Sequence, residues 1–165
     1  MPFSTPDRIA LRGVLSITVI AALALAAPRP ATAEAAAPVV AEAPASSIAL
    51  TVRNVRPGAG PVRVVLFDSE GGWKGEARPV RGENIDAAGA EVAVTFTGLK
   101  PGVYGVKLFQ DIDGDGRMGA NPFGVPTEPY AFSNDAPVRF GPPNWQAAQF
   151  TVAPGVVAHS ITLPE

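Results

Sequence analysis

The sequence predicts an all-β domain, an antiparallel β-sandwich, behind an N-terminal export signal. Three observations predict it. Six or seven short stretches alternate apolar and polar residues with period two. Gly/Pro clusters separate those stretches. No segment beyond the leader shows a convincing 3.6-residue period.

The first segment reads as an address. Arg8 and Arg12 precede Gly13–Ala27, fifteen residues without a charge, which Pro28 and Pro30 end. Ala31-Thr32-Ala33 follows as a small-x-small cleavage triplet. Basic start, short apolar core and A-x-A site make residues 1–33 a secretory signal peptide. Fifteen residues is short for a bilayer span, which needs about 20. The expected location is periplasmic or secreted, with no membrane span after cleavage. Losing Arg8, Arg12, Arg29 and Asp7 moves the net charge from −2 to −4. That balance argues against a nucleic-acid partner, which would require a basic surface. Residues 34–46, rich in Ala and Pro, read as a flexible lead into a domain spanning 47–165.

The elements follow in order. Ser47–Val55 places Ile48, Leu50 and Val52 on one face of a half-buried strand. Val62–Phe67 is apolar on both faces and predicts a central, well-covered strand. Asp68–Asp86 predicts a long excursion with a short edge strand near Arg78–Arg81, since Pro79 suits only an edge. Glu91–Thr97 and Val103–Phe109 alternate on either side of Pro101-Gly102 and predict a hairpin. Ala147–Val152 and Val156–Leu163 predict two final strands, with one helical turn possible over Pro143–Ala148.

With no cysteine, the chain has no disulfide scaffold, thiolate zinc site, cysteine nucleophile or iron–sulfur cluster. One histidine excludes a multi-histidine metal site. That residue, His159, lies in strand phase with Val157 and Ile161 and predicts a packed or rim side chain. Its neighbour Ser160 faces the opposite way, so a Ser–His pair is geometrically poor. No catalytic constellation emerges, and a non-enzymatic module is expected.

The chemistry concentrates in residues 110–134, too long for an ordinary connection. Asp111-x-Asp113-x-Asp115-Gly116 has the spacing of the first half of a calcium loop. Asp111, Asp113 and Asp115 would offer side-chain oxygens and Arg117 its carbonyl. Asn121 or Glu128 could fold back to complete the shell. The twelfth position is Pro122 rather than a bidentate Glu, so the second half does not match. Two readings stand: a calcium-stabilised loop, with calcium the cofactor candidate, and a plain loop of Asx turns. A pair of carboxylates drawn from the Asp cluster and Glu128 would be needed for glycoside hydrolysis. Trp73, Phe123, Tyr130, Phe132 and Trp145 lie outside the clear strands. They either plug an end of the sandwich or form a platform for a ligand.

Four motifs carry a resemblance. They are Leu99-x-Pro101-Gly102-x-Tyr104, Asp111-x-Asp113-Gly114-Asp115-Gly116-Arg117, Phe123-Gly124-x-Pro126-x-Glu128-x-Tyr130-x-Phe132-Ser133-Asn134, and Phe140-Gly141-x-Pro143-x-x-x-Ala147. In order and spacing they resemble DUF2141, a family of small exported bacterial proteins of unknown function. The resemblance implies an immunoglobulin-like or transthyretin-like sandwich and no reaction. The chain departs from the family pattern at Gln110, where a His is usual, and at Gly119, where an Asp is frequent. The resulting expectation is a binding or structural accessory protein of the cell envelope with a protein or glycan partner. Alternatives are a calcium-stabilised module and a carbohydrate-active enzyme or carbohydrate-binding module.

Overall fold

The computed structural model describes residues 45–165. Residues 1–33, read as a signal peptide, and nearly all of 34–46, read as a flexible lead, lie outside the described residues. Eight strands form two sheets. β1 (Ser46–Arg53) lies between β4 (Glu91–Leu99) and β8 (Gly155–Thr162). In the second sheet β2 (Val62–Phe67) lies between β3 (Arg81–Ile85) and β5 (Gly102–Gln110). The far edge of β5 is shared by β6 (Tyr130–Phe132) and β7 (Phe150–Val152). All pairs are antiparallel except β1 with β8. Among the described residues, no helix is long and apolar enough to cross a membrane.

The core between the sheets follows from the period-two pattern. Ile48, Leu50 and Val52 face Val62, Val64, Leu66, Val106 and Leu108, and all are buried. At about 25 cal/mol per Å² of apolar surface, such side chains contribute roughly 1.5–3 kcal/mol each. The opposite face of β1, Ala49 to Arg53, is partly or fully open to solvent.

The expected hairpin is corrected. β4 pairs with β1 and β5 pairs with β2, so Lys100-Pro101 crosses between the sheets. The local geometry explains why. Between Ser46 and Ile48 the register against β4 slips by one residue, from Leu99 to Phe96. Gly98, at φ 70°, supplies this bulge, and Phe96 and Leu99 can then both point inward. The Tyr104 hydroxyl donates to the Lys100 carbonyl at 2.8 Å and fastens the crossing.

β2 is covered on both faces, as its composition predicts. The outer face of its sheet carries Val65, Phe67, Gly105, Lys107, Phe109, Tyr130 and Phe132. Two short helices lie over it: α1 (Glu70–Lys74) brings Trp73 and α2 (Trp145–Ala148) brings Trp145. Ser69 caps α1 through Gly72 N–H, and Gly75 ends it at φ 84°. Asn144 caps α2 through Ala147 N–H. The strand expected over Ala147–Val152 therefore begins only at Phe150, after that helical turn. Arg81, not Arg78, starts the edge strand, and Pro79 lies just before it.

The aromatic plug is built around Gly105. A Cβ there would lie 2.7 Å from the Trp145 ring and 3.2 Å from the Trp73 ring. Gly105→Ala should therefore destabilise the domain by roughly 1–3 kcal/mol through overpacking. A lower denaturant midpoint with an unchanged m-value would register it.

Candidate functional site

The long connection after β5 is organised by two buried carboxylates. Asp111 is fully buried and Glu128 nearly so. Burying a carboxylate costs several kcal/mol unless donors replace its water. Here backbone amides and one guanidinium replace it. Asp111 Oδ1 accepts Gly114 N–H at 2.9 Å, and Oδ2 accepts Gly116 N–H at 3.0 Å. Arg63, on the outer face of β2, donates Nε–H to Oδ2 at 2.5 Å and Nη1–H to Asn84 at 3.2 Å. Glu128 Oε1 accepts Ile112 N–H at 2.7 Å, and Oε2 accepts Gly119 N–H at 2.8 Å. One side chain thus ties the loop's return to its start and its middle.

Glycine makes this wrapping possible at two positions in particular. Gly116, at φ 85°, turns its amide to Asp111 while lying under the Arg63 guanidinium. Gly60 passes the Asp111 carbonyl so closely that a Cβ would fall 1.8 Å from its oxygen. Beside it, Gln110 is fully buried and bonds the Arg56 amide and carbonyl at 2.9 and 2.7 Å.

The remaining acidic residues are exposed. Asp113 Oδ1 accepts Asp115 N–H and Asp115 Oδ1 accepts Arg117 N–H, both as Asx turns. Asp111, Asp113 and Asp115 each offer an oxygen within 4.8 Å of the others. The structure thus brings together three of the six residues considered for a metal. Glu128 does fold back, but both its oxygens go to backbone amides. Asn121 forms a separate turn, its Oδ1 accepting Phe123 N–H and Val125 N–H at 3.0 Å. Arg117 contributes an amide to the Asp115 turn rather than a placed carbonyl.

Beyond Gly119 the chain forms a miniature hairpin. Thr127 N–H reaches Gly119 O, Asn121 N–H reaches Val125 O, and Gly124 N–H reaches Asn121 O, all within 2.9 Å. Its tip carries Phe123, 91% exposed, and Val125, 56% exposed. Of the two roles open to the loop aromatics, plug or platform, Phe123 does not plug: it is held away from the body. Phe140 is fully exposed too. Trp73 is buried among Phe67, Phe132 and Trp145, whose ring centroids lie 5.7–5.8 Å from its own.

The Phe132-Ser133-Asn134 motif has a structural role that its spacing alone did not reveal. Ser133 Oγ is fully buried, accepts Val106 N–H at 2.9 Å and reaches Ala148 O at 2.5 Å. Asn134, at φ 63°, donates to Ala147 O and Gln149 O. Together they join β5 to α2. His159 stacks on Phe150 at 3.9 Å and 7°, and its Nε2 accepts Asn134 N–H at 3.3 Å. Burial pushes its pKa down, against the pull of Asp135. It is the rim histidine that its strand phase predicts.

The Arg63 hydrogen bond holds the Asp111 carboxyl below its ordinary value of 3.8, with Gly116 and Gly114 N–H assisting and burial opposing. A depressed folded pKa contributes stability above the unfolded value and loses it as pH falls through the folded one. Asp111→Asn should remove that contribution. Its stability should be lower at neutral pH and flatter than the native chain's below about pH 4. Denaturant titrations of both chains across the acid range check this.

No curated protein and no solved structure matches the chain. A family model described as an uncharacterised protein conserved in bacteria, DUF2141, matches residues 50–160. That span takes in the whole five-stranded sheet, β4, the second half of β1, β8 as far as Ser160, the carboxylate-bound loop and the Ser133–Asn134 junction, and the chain belongs to the DUF2141 family.

Proposed function

We propose that this protein is an exported, non-enzymatic binding module of the bacterial envelope that presents Phe123 and Val125 to a protein partner. The carrying observation is the combination of exposure and fixation at the hairpin tip. A large apolar side chain on an unstructured loop would mean little. Phe123 instead tops a turn closed by its own backbone bonds and by two from Asn121. That turn is anchored below by Glu128 and Asp111. Preorganised aromatic side chains lose little entropy on binding and are frequent anchors of interfaces. The leader at 1–33, read from the sequence, supports export.

The non-enzymatic reading rests on how the carboxylates are used. Asp111 and Glu128 spend their oxygens on backbone amides and Arg63, so neither is placed to exchange a proton with a substrate. Among the described residues, the imidazole of His159 has no nucleophile bonded to it.

A second reading has its own observation, the 4.8 Å grouping of Asp111, Asp113 and Asp115. A cation there would meet oxygens of Asp113 and Asp115 and share Asp111 with Arg63. Calcium needs six to eight oxygens, so water would complete the shell.

Two measurements separate these readings. Phe123→Ser should leave the unfolding free energy within about 0.5 kcal/mol of the native chain's, as exposed substitutions do. It should also abolish crosslinking to the envelope protein that the native chain captures. Equal capture by both chains would refute the tip as the contact, and binding confined to a glycan array would move the partner to carbohydrate. For the cation, melts in chelator, calcium and magnesium should show a calcium-specific rise that Asp113→Ala removes. Identical melts would reduce the acidic run to turn chemistry.

A further inference from the structure

The outer face of the β2–β5 sheet carries two cations: Arg63, paired with Asp111, and Lys107, which lies in an aromatic and aliphatic setting. Lys107 lies on β5, with Val65 and Phe132 as its register neighbours. Its ammonium sits 4.6 Å from the Trp73 ring centroid and 5.0 Å from that of Phe67. It donates to one protein acceptor, the Trp73 carbonyl, at 2.5 Å. An ammonium has three N–H donors. Among the described residues, no carboxylate lies within ion-pair distance of Lys107. Burial also pushes its pKa down.

Lys107 and Phe67 line two clefts at once. One, of about 310 Å³, has walls of Val65, Phe109, Met118, Tyr130 and Phe132 and is almost purely apolar. The other, of about 600 Å³, runs past Trp73 and adds Lys74 and Arg78. The first is at the lower end of the range for small-ligand sites, about 300–1,000 Å³. The second also carries Glu76, and its Lys74 is already paired with Glu70 at 2.8 Å, so Lys107 and Arg78 are the cations it offers an anion.

We propose that the two clefts together bind a small apolar monocarboxylate, its hydrocarbon body in the first between Met118, Phe109 and Tyr130, along the Lys107 stem, and its carboxylate on the Lys107 ammonium, which lies on the Trp73 side in the second. The charge complementarity is specific. A neutral apolar ligand would fill the cleft and leave the cation as it is. A carboxylate would satisfy the open donors in a setting of low dielectric, where charge-assisted hydrogen bonds are strongest. The site is separate from the Phe123 tip and does not rest on the partner reading. An alkyl acid and an aryl acid share this chemistry.

Octanoate, 3-phenylpropionate and octanol are titrated into the full chain, with tryptophan fluorescence and calorimetry as readouts. Both acids should bind saturably and change the emission of Trp73, and whichever binds tighter identifies the body as alkyl or aryl. Lys107→Met keeps the stem and removes the charge. It should weaken octanoate roughly tenfold or more and leave octanol unchanged. Met118→Trp, on the loop wall, should block octanoate by filling the cleft, and it decides the matter if Lys107→Met does not fold. The proposal is overturned if the native chain binds neither acid. It is equally overturned if a folded Lys107→Met, or Met118→Trp, binds octanoate as the native chain does.

Discussion

The buried carboxylate of Asp111 is the constraint on which the rest of the loop depends. It lies one residue past β5, where the sheet ends and no ladder remains to satisfy backbone donors. It replaces that ladder with Arg63 and the amides of Gly114 and Gly116. Glu128 repeats the device from the returning end with Ile112 and Gly119. Neither carboxylate could be buried without these donors, and without the carboxylates these amides would have no protein acceptor. The two sets hold each other in place, and the hairpin bearing Phe123 rests on them.

The same sheet explains the rest of the surface. Its inner face meets the first sheet in an aliphatic core. Its outer face is closed by Trp73 and Trp145 over Gly105, and incompletely closed near Lys107. The two short helices exist to deliver those tryptophans: each has a polar cap, one turn and a buried ring. A β-sandwich of this size thus has three layers at one side, and the third layer is made largely of loops. The functional readings both arise where that third layer ends.

Much of the architecture was legible in the sequence. Period-two stretches place β1, β2, β4, β5 and β8, and the two-sided apolar character of Val62–Phe67 foretells a covered strand. Local pattern could not choose the partner of each strand. Pro101-Gly102 looks like a hairpin turn, yet the bulge at Gly98 and the Tyr104 bond carry the chain to the other sheet. α1 is too short to show a helical period, although Ser69 and Gly75 are its cap signals. In the site, the Asp spacing was readable, but pattern left Asn121 and Glu128 equally able to fold back and did not show that Glu128 returns to backbone amides. The role of Arg63 was not, because it comes from a strand 48 residues earlier. The exposure of Phe123 was not readable either, since an aromatic residue in a loop is equally suited to plug or to project.

Native-state amide hydrogen exchange, with chelator present, tests the central claim most directly. If Asp111 and Glu128 pin the loop by themselves, the amides of Ile112, Gly114, Gly116 and Gly119 should be protected well above open-chain rates. Exchange of those four at open-chain rates, while the β5 amides stay protected, would contradict the account.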